Sequence, residues 1–131
     1  MSRLLKLTAL IEAVTGLGLL AVPAIVVRLL LGAEISGASI PLGRVAGAAL
    51  LALGVACWLA RDDSQSRSAR GLVVAMLMYN IVATAVLAFA GSGLGLDGVA
   101  LWPAVVLHAA MAVWCLACLR RGPQNETMDS N

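Results

Sequence analysis

Four side chains stand out because their chemistry conflicts with their surroundings. Glu12, Asn80, His108 and Arg44 each lie in or at the edge of a long apolar run. An ionisable group in such a run is costly and is a functional candidate by default. At 1.5 Å per helical residue, Glu12 lies about 8 Å inside its run, Asn80 near the middle of its own, and His108 about 12 Å in from the opposite end. Arg44 sits at the edge of its run and can snorkel. Counted from the N-terminal end of the bundle, the order is Glu12, Asn80, His108, Arg44, with axial gaps of roughly 5–9 Å. If all four turn inward, a carboxylate, an amide, an imidazole and a guanidinium form a polar ladder that relays protons or holds a small polar ligand. In the plainer reading each group satisfies another across a helix contact, at about 0.6 kcal/mol per bond. Glu12 is the strongest candidate, because a carboxyl at that depth must be protonated, paired or wetted. Thr8 and Thr15 share its helical face. Tyr79 adjoins Asn80 in sequence but projects about 100° away around the helix.

Cys57, Cys115 and Cys118 fall at a similar depth. Three thiols at one level could bind a soft metal or exchange electrons. No histidine joins them, and cysteine is also a common small apolar residue in spans. Neither a metal site nor a cofactor is implied. Trp102, Trp58 and Trp114 suit an interfacial aromatic belt.

The elements that carry these groups follow from composition. Of 131 residues, 61% are hydrophobic and 12% are charged, against about 45–50% and about 25% in soluble domains. A small globule cannot hide that excess from water. A soluble enzyme and a disulfide-stapled secreted domain are therefore excluded. The nine basic residues flank apolar runs and form no nucleic-acid-binding stripe. Four runs are long enough to cross a bilayer, at about residues 7–31, 42–60, 71–90 and 100–119. Each must be helical, because lipid offers the backbone no partners and the alternation of a barrel is missing. The expected fold class is all-α, an integral membrane four-helix bundle over residues 1–119. Residues 120–131 form a polar, disordered cytoplasmic tail whose Asn125-Glu126-Thr127 glycosylation match is accidental. The first run is too long for a signal-peptide core and reads as an uncleaved span. Pro23 should kink or loosen it. Ser39 and Pro41 suit the start of the second helix, and Pro103 the first turn of the fourth.

Orientation follows the basic residues. Arg3, Lys6, Arg61, Arg67, Arg70, Arg120 and Arg121 share one side, and only Arg28 and Arg44 fall on the other. This bias predicts a bacterial inner-membrane protein with both termini cytoplasmic. Small residues provide close-approach faces: Gly43, Gly47 and Gly54 on the second helix, and Ala9, Ala13 and Gly16 on the first. Such faces serve packing within the bundle or between protomers.

The runs TALIEAVTGLGLL, GRVAGAALLALG and LWPAVVLHA, with the Tyr79-Asn80 pair, give the whole chain a hydropathy plan that resembles small four-helix bacterial membrane proteins of the DoxX-like kind. That resemblance implies an accessory membrane subunit and transfers no site. The segment LIEAVTG looks like the first helix of small multidrug-resistance transporters, in which one membrane-embedded glutamate couples protons to cationic drugs; the matching position is Glu12. The expected role is a non-enzymatic accessory or assembly subunit, with the lipid bilayer and other membrane subunits or further copies of the chain as partners. The alternative is a small proton-coupled carrier that uses Glu12 with Asn80 and His108. A third reading is a membrane thiol-redox protein using Cys115 and Cys118.

Overall fold

The computed structural model describes residues 1–121, and these form five helices: α1 (Ser2–Ala21), α2 (Pro23–Leu31), α3 (Ser39–Ala60), α4 (Arg67–Ser92) and α5 (Leu101–Arg120). No strand occurs among the described residues. Helices α1, α3, α4 and α5 are each long and apolar enough to cross a membrane. The chain is an all-α bundle with the plan of a multi-pass membrane protein. Arg120 ends α5 rather than opening a tail, and the expected tail from Gly122 onward, with its Asn125 motif, lies outside the described residues.

The first apolar run is two helices, not one kinked span. The break is at Val22, whose backbone (φ −136°, ψ 58°) is not helical, and Pro23 takes the first position of α2. Proline lacks the N–H that would continue α1, and its fixed φ suits the start of a helix. The 20 residues of α1 already span about 30 Å, so α2 is not needed to cross a bilayer. It ends at Gly32, in the left-handed conformation (φ 70°) that glycine adopts without strain.

Other helix ends depart from expectation for local reasons. α1 begins at Ser2, and its buried Leu4 and Leu5 lie between the exposed Arg3 and Lys6. α4 begins at Arg67, capped by Ser66, whose Oγ accepts from the Ala69 amide at 3.1 Å. Ser39 opens α3 but provides no side-chain cap. Pro41 and Pro103 fall in the first turns of α3 and α5, as expected.

The bundle is assembled from two helix pairs, α1 against α3 and α4 against α5, with sparse contact between the pairs. The small-residue faces set the first pair. A Cβ on Gly16 would lie 2.7 Å from the Gly47 carbonyl oxygen, and one on Gly54 would lie 3.0 Å from the Ala13 amide and the Ala9 carbonyl. These glycines are consumed in close backbone approach within the chain. The pairs meet at the end that carries Arg61, Arg67, Arg70 and Arg120. There Leu4, Leu5, Cys57, Val73, Met76, Met111 and Cys115 form one buried cluster. An Arg70 guanidinium hydrogen bond to the Leu119 carbonyl at 3.2 Å ties α4 to α5 at this end. We refer to it as the basic end.

At the opposite end α2 links the pairs. The Ala100 amide, at the start of α5, donates to the Leu29 carbonyl at 2.9 Å. Gly98 lies against the Leu30 backbone so closely that a Cβ there would collide with the Leu30 carbonyl group.

Candidate functional site

Where the two pairs part, they leave space. One cavity of about 260 Å³ is lined by Glu12 and Thr15 of α1, Leu29 and Leu30 of α2, Tyr79 of α4 and His108 of α5, among others. A second, of about 270 Å³, shares Thr15, Leu30, Tyr79 and His108 and reaches Leu50 of α3. Most of the lining is apolar, and the polar groups converge from three helices. That combination marks ligand pockets, although about 260 Å³ is small beside the roughly 300–1,000 Å³ of drug-sized sites.

Glu12 is 4% exposed. Among the described residues it makes no hydrogen bond and no ion pair; the salt bridges are Arg28–Glu34 and Arg61–Asp62, both on the surface. Its carboxyl is nevertheless not sealed in protein. Among the described residues the one fully buried side-chain polar atom without a partner is the Thr8 hydroxyl, a turn closer to the basic end on the same face. The carboxyl thus faces the cavity. One turn further along, Thr15 opens to the same space.

His108 is held by Asn80, which is 1% exposed. Asn80 Nδ2 donates to the Met76 carbonyl at 2.8 Å, which fixes the amide with Oδ1 free to accept. His108 Nδ1 stands 2.8 Å from that Oδ1, so Nδ1 carries the hydrogen. Nε2 is then the nitrogen left uncommitted, an acceptor in the neutral ring. The Tyr79 ring packs edge-on to the imidazole, with centroids 5.6 Å apart and planes at 83°. Thr84 returns its hydroxyl to the Asn80 carbonyl at 2.7 Å, a bond local to the helix. The imidazole is therefore oriented by two residues of α4 and presented to the space beside α1.

Of the four residues in the expected ladder, the structure brings three together. Asn80 and His108 are bonded, and Glu12 and His108 line one cavity. Arg44 does not join them: it is exposed near the start of α3 and lines neither cavity. Tyr79 is the residue that sequence reasoning missed. Its offset of about 100° from Asn80 points it into the cavity while Asn80 reaches His108 from the buried side. The α2 residues were also missed, because α2 was read as the end of a span.

The thiols belong elsewhere. Cys57 and Cys115 are wholly buried in the basic-end cluster, Cys118 is half-buried, and all three are free. Among the described residues no three His, Cys, Asp or Glu side chains come together as a metal site. Trp102 lies towards the α2 end, and Trp58 and Trp114 towards the basic end. All three are exposed, as an interfacial belt requires. Trp58 also carries the Arg61 guanidinium 4.0 Å above its ring.

Compared with protein families, with characterised proteins and with solved structures, the chain finds no match.

Proposed function

We propose that this protein is a small proton-coupled membrane carrier for a compact, largely apolar cation, with Glu12 as the exchanging carboxyl. One observation carries the reading: Glu12, with no hydrogen-bond or ion-pair partner among the described residues, shares a capped, mostly apolar cavity with an oriented His108 and with Tyr79. An apolar wall with one carboxyl suits a hydrophobic amine or quaternary ammonium, and the tyrosine face adds a cation–π surface. The exchange is charge-balanced. The protonated carboxyl gives up one H⁺ to water as one monovalent cation takes its place, and the reverse step expels the cation. His108 Nε2 offers an acceptor for a substrate N–H or for water on the proton's path. The short α2, hinged at Val22 and latched at Leu29, closes the cavity at one end.

The glycine faces at Gly16, Gly47 and Gly54 are spent between α1 and α3, so they add no support for the accessory-subunit role that the resemblance implies. The basic bias of the loops supports a bacterial inner membrane with the basic end in the cytoplasm. The test uses proteoliposomes with an imposed pH gradient and benzyltrimethylammonium as the probe cation. Wild-type protein should give gradient-driven uptake and Glu12→Gln none. Equal uptake by both, or none by either across a panel of small lipophilic cations, would remove the carrier reading.

A further inference from the structure

A further recess plays no part in that site. It is a recess of about 550 Å³ at the basic end, between the α3–α4 loop and the end of α5. Arg67, Arg70 and Arg121 line it, together with Ser64, Gln65 and Ser66, and among the described residues no acidic side chain does. Three guanidinium groups around one recess repel one another unless an anion lies between them. One of them is already fixed: Arg70 Nη2 is held on the Leu119 carbonyl at 3.2 Å, which orients the guanidinium at the recess wall. The first turn of α4 opens onto the same space. Ser66 caps the Ala69 amide and accepts from the Arg70 amide, while the amides of Arg67 and Ser68 have no acceptor among the described residues. Planar forked donors and free first-turn amides together match the oxygens of a phosphate group.

We propose that this recess binds a phosphate-bearing anion, with Arg67 and Arg121 as the outer ligands and Arg70 as the fixed one. The ligand chemistry is a phosphate mono- or diester. Its two sources are the headgroup of an anionic phospholipid, which lies at this level when the helices span a bilayer, and soluble phosphate. The site is independent of the carrier reading, because no residue is shared with the Glu12 cavity.

The test is native mass spectrometry of the full chain with phosphatidylglycerol, phosphatidylcholine and inorganic phosphate as separate probes. R67A/R121A changes two exposed side chains outside the buried core and should keep the wild-type melting temperature. R44A, at the far end of the bundle, is the charge-matched control. Wild type and R44A should retain phosphatidylglycerol over phosphatidylcholine. R67A/R121A should bind it at least about tenfold more weakly, the loss expected for a charge-assisted hydrogen bond. Competition by millimolar inorganic phosphate would assign the soluble source, and its failure to compete the lipid. If R67A/R121A binds like wild type, if R44A loses as much, or if the two lipids bind alike and phosphate does not bind, the proposal is overturned. If R67A/R121A does not fold, R121A alone, at the end of α5, carries the same comparison.

Discussion

The two ends of this bundle solve the same packing problem differently. At the basic end, side chains of α1, α3, α4 and α5 fill the space between the helix pairs, and Leu4, Leu5, Met76 and Cys115 are almost wholly buried. At the α2 end the pairs stand apart, and the space is lined by Glu12, Thr15, Tyr79 and His108 rather than filled. In lipid, burying apolar groups brings no gain from water, so close van der Waals fit must hold helices together. The basic end and the α1–α3 glycine seam provide that fit. With assembly secured there, the other end can keep a cavity and an unpartnered carboxyl.

Substitutions at each end should therefore separate stability from function. The largest stability loss is expected at the seam. Gly47→Leu places a side chain where even a Cβ would lie 2.7 Å from the Gly16 carbonyl oxygen, and should cost about 3 kcal/mol or more, read as a fall in thermal midpoint in detergent. Leu4→Ala comes next, at about 2 kcal/mol, because it opens a void in the filled cluster. Asn80→Leu should cost about 0.6–1.7 kcal/mol. It should also release His108, visible as a changed imidazole resonance, while Glu12 stays in place. Gly98→Ala should weaken the contact of α2 with α5 and quicken the entry of water-soluble probes into the cavity, with the melting transition of the four long helices little changed. Glu12→Gln should shift stability by less than about 0.5 kcal/mol, since no protein partner is lost. A large destabilisation there would mean that Glu12 is structural and would erase the contrast between the ends.

The four spanning helices were legible because runs of apolar residues of this length have one stable answer in lipid. Their ends were less so. Arg3 and Lys6 read as flanking charges, yet they share the first turns of α1 with buried Leu4 and Leu5. Arg67 and Arg70 hid the start of α4, which the Ser66 cap marks. Pro23 gave notice of a disturbance, but a proline signals a kink and a new helix equally well. The structure has the new helix, which is latched to the start of α5 by the Ala100–Leu29 hydrogen bond, a tertiary contact that local sequence does not reveal. At the site, polarity alone singled out Glu12, Asn80 and His108. Whether they met depended on helix rotation, which one sequence does not fix. That rotation brought in Tyr79 and left Arg44 at the surface.

The central claim is that the Glu12 carboxyl opens into a cavity that a ligand can fill. Labelling with a hydrophobic carbodiimide, which modifies protonated carboxyls within membranes, tests it directly in intact vesicles. Wild-type protein should be modified at Glu12. Ala104→Phe, which introduces a ring at the wall of the same cavity, should abolish the labelling without unfolding the protein. Unlabelled wild-type Glu12, or equal labelling in a folded Ala104→Phe variant, would contradict the account.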